Sequence, residues 1–164
     1  MGTMVGSIKL LKRMVINRSR YYLKRAMFID IKAGKRFYPR SPFYVGRGSK
    51  VRLGNDVYIG RAAHIAGNLE VGDDVLIASC VSFVGGDHQI DDIGNLLIRE
   101  SGRSSNLTTT IESNVWIGHG CIVMSGIRMK KGSVLAAGSV LTKDVGEDEI
   151  WAGVPAKFVR KRKL

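Results

Sequence analysis

A six-residue period dominates this chain and limits what it can fold into. Branched or long apolar residues stand at Leu53, Ile59, Ile65, Val71, Ile77 and Phe83, and the same step resumes at Ile111, Ile117, Val123, Met129, Leu135 and Leu141. In the second run each lead is followed four positions later by Val115, Cys121, Ile127, Ser133, Ser139 or Val145, mostly small or β-branched residues. Six fits neither the 3.6 period of a helix nor a heptad, whereas positions one and five of a hexad share a face of an extended segment. Each hexad therefore reads as a short strand plus a corner. Glycines such as Gly54, Gly60, Gly118, Gly120 and Gly138 recur where a corner needs positive φ or close backbone approach. The expected class is all-β, with stacked parallel coils; a sandwich or barrel with very regular turns is the competing arrangement.

The interruption is as informative as the period. The inward place after Phe83 falls on Asp87, a carboxylate too costly to bury unpaired. The coil must open there, and His88 follows at once. Residues 89–110 then run without the six-step until Ile111 restores it. Loops of that length without their own structure are usually functional or disordered. Imidazole titrates near neutrality and suits a general base. Asp87 either binds acceptor hydroxyls or caps the loop.

The segments VWIGHGCIVMSGI, GSVLAAGSVLTKDV and WAGVPAKFVRK, with GDDVLIASCVSFVGGDH ending in His88, resemble the hexapeptide-repeat acyltransferases. The likeness is to galactoside and maltose acetyltransferases and to short O-acetyltransferases of bacterial surface polysaccharides. It implies a left-handed parallel β-helix over 31–146, with an excursion loop at 89–110 reaching toward a neighbouring subunit. It also implies a homotrimer with sites between subunits, acetyl-CoA as acyl donor, no metal, and a sugar hydroxyl as acceptor. Carried over by position, His88 is the catalytic base, and Asp87 and Trp116 lie near the reacting groups. Trp116, His119, Ala137, Gly138, Ser139, Thr142, Lys143, Lys157 and Arg160 fall at cofactor-contacting positions; His119 replaces a residue that is often small. The phosphates of CoA need cations or N–H donors, and the last eight residues hold five Lys/Arg. Two other readings stay open: acetylation of an antibiotic or free sugar, and a non-catalytic or zinc-binding β-helix using His64, His88 and His119.

Charge sharpens this picture. The net charge is +12, yet residues 1–52 hold 14 Lys/Arg against Asp30 alone, while the middle of the chain is acidic. Basic ends on an acidic body argue against a nucleic-acid fold and for local anionic contacts at either end. Cys80 and Cys121 have no metal-ligand spacing and read as free thiols of a cytoplasmic protein. Residues 1–30 form a basic segment, with an amphipathic helix expected over 7–28. That helix either caps the first coil, the favoured reading, or makes peripheral contact with the inner membrane. Residues 147–164 read as a basic C-terminal tail.

Overall fold

The hexads fold as their period demands, each giving one short strand and one corner, and three of them close a triangular coil. The computed structural model describes residues 30–40, 42–105 and 107–163. Face A of the resulting prism stacks Asp30–Ala33, Lys50–Leu53, Asn68–Val71, Thr108–Ile111 and Arg128–Met129. Face B stacks Tyr38–Pro39, Tyr58–Ile59, Leu76–Ile77, Trp116–Ile117, Val134–Leu135 and Glu149–Gly153. Face C stacks Tyr44–Val45, His64–Ile65, Ser82–Phe83, Ile122–Val123 and Val140–Leu141. All of these pairings are parallel, as successive turns of one coil must be.

Register follows from coil length. Leu53 pairs with Val71 and Ile59 with Ile77, a step of 18 residues. Every lead of the two periodic runs is buried, and so are the fifth positions Val115, Cys121, Ile127, Ser133, Ser139 and Val145. One continuous apolar column thus runs from Val45 to Val145, with Trp151 packed against its C-terminal end. Burying a Val, Leu or Ile side chain is worth about 1.5–3 kcal/mol, so the column is the main stabilising feature.

Two sequence expectations are adjusted, and one coil departs from the common step. The stretch 31–52, which lacks a strong apolar lead, nonetheless builds a complete coil. Its step to the next coil is 20 residues, as in Tyr38 to Tyr58, because the C-to-A corner at Gly46–Ser49 is two residues longer. The excursion ends earlier than residue 110, since Thr109 already pairs with Leu69 and is buried. The step across it is 40 residues rather than 18. The C-terminal segment is no tail: Ala156–Lys161 folds back antiparallel on Glu149–Gly153 and becomes the edge strand of face B. The cause is local, because Ile150 continues the outward row above Val134, and Gly153, at φ 100°, turns the chain. The helix expected over 7–28, and with it the choice between cap and membrane contact, lies outside the described residues. Among the described residues no helix is long and apolar enough to cross a membrane.

Candidate active site

The excursion leaves the prism at the corner between faces C and A, just after Phe83. Outside the coil the chain is held as a two-stranded ribbon. His88 faces Arg103 in an antiparallel bridge, flanked by Gln89 N–H donating to Gly102 O (3.2 Å) and Ser104 N–H to Asp87 O (2.8 Å). Two hydroxyls tighten it: Ser101 Oγ donates to Gln89 O (2.6 Å) and Ser104 Oγ to Asp87 O (3.1 Å). The return leg is tied to the prism where Ser125 Oγ donates to Leu107 O (3.3 Å). His88 is exposed, and its ring has no hydrogen-bond partner among the described residues. It borders an open hollow of about 410 Å³ with Gln89, Ile90, Asp91 and Asp92. Asp87 is exposed as well; its backbone carbonyl fastens the loop, and along the ribbon its side chain alternates to the face opposite His88.

The cofactor candidates fall into three places. Trp116 and Arg160 share a groove of about 390 Å³ on the outer side of face B, with Leu76, Val134 and Ile150. Trp116 is 53% exposed there, on the surface and not in the core. Lys157 pairs with Ala152 nearer the hairpin turn and is exposed. His119, Ala137 and Gly138 stack at the neighbouring B-to-C corner, where Gly138 N–H donates to His119 O (2.8 Å) and Gly138 has φ 71°. Ser139 is the exception, because its side chain is buried and its Oγ accepts from Gly153 N–H (3.0 Å), anchoring the C-terminal hairpin. Thr142 and Lys143 lie at the C-to-A corner, the same edge as His88 but two coils further on, about 10 Å along the stack.

Face B is opposite the C-to-A corner in a triangular section. One chain therefore brings Trp116 close to Arg160 but holds both away from His88. Nor does it gather the three histidines: His64 is on the outer side of face C, His119 at the B-to-C corner and His88 on the ribbon. Among the described residues no group of three His, Cys, Asp or Glu could hold a metal ion. Cys121 is buried, its thiol donates to Ala136 O (3.0 Å), and burial pushes its pKa up, so it is not a ready nucleophile. Cys80 is exposed at a corner with φ 62°.

The sequence had named His88 but not Arg103, which belongs to a stretch with no period. A family described as bacterial transferase hexapeptide (six repeats) matches residues 108–143. The galactoside O-acetyltransferase of Escherichia coli is 30% identical over 141 residues, 85% of this chain and 66% of its own length. The chain belongs to the hexapeptide-repeat transferases. It spans just under two thirds of that curated relative. An acetyltransferase of this family from Vibrio cholerae, solved in complex with acetyl coenzyme A, superposes with a TM-score of 0.72 at 27% identity. That match covers 90% of this chain and 78% of the other. A polySia-specific acetyltransferase, NeuO, superposes at 0.64 with 29% identity, over 82% and 66% of the two chains.

Proposed function

We propose that this chain is an acetyl-CoA-dependent O-acetyltransferase acting on a sugar hydroxyl in bacterial surface polysaccharide biosynthesis, working as a homotrimer of left-handed coils. One observation carries the reading: a histidine on a braced ribbon at one edge of the prism, and an aromatic and cationic groove on the opposite face. Two copies set edge to face would complete a site that a single copy leaves in halves. The known substrates of relatives agree, since one acetylates a galactoside and another is specific for a polymer of sialic acid.

In the reaction His88 accepts the hydroxyl proton as the oxygen bonds to the thioester carbon. A backbone N–H stabilises the tetrahedral oxyanion, which collapses with loss of the CoA thiolate. The imidazolium then returns its proton to sulfur. Trp116 and the B-to-C corner hold the acyl arm, and Arg160, with Lys157, meets the phosphates. Asp87 stays with the acceptor side. A cytoplasmic location goes with this reading, because the donor is a metabolite of the cell interior.

Thiol release from acetyl-CoA over a panel of glycosides tests it. His88→Ala is expected to lower turnover by about 10²–10⁴ while CoA still binds. Unchanged turnover in that variant sinks the assignment of the base. The galactoside relative favours a second reading, a free glycoside as acceptor, and the same panel separates it from a polymeric one.

A further inference from the structure

We propose that Arg103 selects acceptors carrying an anionic group, a carboxylate or a phosphate ester, beside the hydroxyl that is acetylated. The inference rests on His88 being the base and goes further, to the chemical class of the acceptor.

The pairing geometry places the two side chains together. With Gln89 N–H bonded to Gly102 O and Ser104 N–H to Asp87 O, His88 and Arg103 form the non-hydrogen-bonded type of antiparallel pair. In such pairs the two side chains leave the same face of the ribbon and their Cβ atoms approach to about 4.5–5.5 Å. The serine hydroxyls that bond to the carbonyls of Asp87 and Gln89 fix this register on both sides of the base.

Arg103 is exposed and, among the described residues, forms no ion pair, whereas Arg36, Arg52, Arg99, Arg128 and Arg162 each face a carboxylate. Its positive charge stands uncompensated next to the reacting centre. The phosphates of the donor cannot be its partner, because the whole pantetheine arm separates them from the thioester carbon that the base must serve. An anion within reach of this guanidinium belongs to the acceptor. Asp91 and Asp92 border the hollow beside His88, and among the described residues neither forms an ion pair with Arg103. Repulsion between an acceptor anion and exposed carboxylates is screened by water and salt, while a guanidinium fork grips a carboxylate or phosphate by direct, paired hydrogen bonds.

The test compares matched acceptors on the full-length protein: methyl glucuronide against methyl glucoside, and a sugar phosphate against its parent sugar. Wild-type kcat/KM is expected to favour an anionic member by about tenfold or more. Arg103→Gln should remove that preference while sparing turnover of the neutral member, and Arg103→Lys should keep some of it. Equal use of neutral and anionic acceptors by the wild type overturns the proposal. So does an equal loss on both in Arg103→Gln, which would mark a role at the oxyanion or in the ribbon's fold. Should no sugar of the panel turn over, saturation-transfer NMR on the CoA-loaded protein decides, and failure of the anionic members to bind better than their neutral partners overturns it. The base assignment fails separately, through His88→Ala retaining activity on every acceptor.

Discussion

Gly60 and Gly48 stand at corners that look alike in sequence and differ in what a methyl group would meet. A Cβ on Gly60 would run into backbone atoms of Ser79 and Ala78 in the next coil, which cannot rotate away. Gly60→Ala must therefore push neighbouring coils apart, at a cost of about 3 kcal/mol. Gly48 has φ 80° and open space around it, so Gly48→Ala meets only the left-handed penalty of about 1–2 kcal/mol. Urea unfolding should rank the two in that order; equal losses would mean that coil spacing does not limit this corner. The cysteines make a similar contrast. Iodoacetamide should modify Cys80 in the native protein and leave Cys121 untouched until unfolding, as peptide mapping would report, and early labelling of Cys121 would contradict its burial. The hexad frame already separates these two residues, because Cys121 occupies a fifth, inward position and Cys80 a corner. Composition alone does not.

Among elements, the coils were legible in the sequence and the two appendages were not. Each coil repeats one physical requirement, an inward apolar residue every six, so twelve leads vote for the same register. The excursion ribbon rests instead on backbone hydrogen bonds and two serine hydroxyls, which any sequence of similar polarity could supply. The break at Asp87 gave its position, and nothing gave its pairing. If the ribbon orients His88, the double variant Ser101→Ala/Ser104→Ala should lose about tenfold in kcat with little change in KM for acetyl-CoA, from two hydrogen bonds of about 0.5–1.5 kcal/mol each. Its melting temperature should hardly move, since the prism is untouched; a large drop would make the serines structural. The C-terminal hairpin reads as a tail in the sequence because its second strand is basic and, beyond Ala156, exposed throughout, so no buried alternation marks it. Here Glu149 accepts from Trp151 Nε1 (2.8 Å) and from Gly146 N–H (2.9 Å), the first of which does most to hold its pKa below the ordinary value. Glu112, held by Arg128 and the Lys131 N–H, is lowered likewise. A carboxyl whose folded pKa is depressed stabilises the protein above its unfolded value, about 4.3 for glutamate, and loses that contribution as pH falls through the folded value. Melting temperature should thus stay level from neutrality to about pH 5 and decline below about pH 4, less steeply in Glu149→Gln. An acid limb identical in the variant would remove Glu149 from this account.

The whole molecule presents three unlike faces. Outward on face A stand Lys32, Arg52, Glu70, Thr110 and Arg128, a charged row. Outward on face B stand Tyr38, Tyr58, Leu76, Trp116, Val134 and Ile150, in register from one end to the other. Tyr38, Leu76 and Trp116 are each at least 50% exposed. This stripe was hidden in the sequence, because its members align only once the coil steps of 20, 18, 40 and 16 residues are known. A contiguous exposed apolar stripe marks an interaction surface. With His88 at the opposite edge, a ring in which each copy's C-to-A edge meets the next copy's face B uses both halves of the site. Such heterologous contacts close into rings when the rotation allows. Leu76→Arg should then yield monomers in analytical ultracentrifugation and lose turnover, although Leu76 touches no reacting atom. A mixing experiment goes to the point directly. His88→Ala and Trp116→Ala copies, each inactive alone, are unfolded together in equal amounts and refolded. If every site takes His88 from one copy and Trp116 from its neighbour, random reassembly gives about a quarter of all sites both native residues. Turnover should return to roughly that fraction of the wild-type value. If the two residues served the same site from one chain, every site would lack one of them and the mixture would stay inactive.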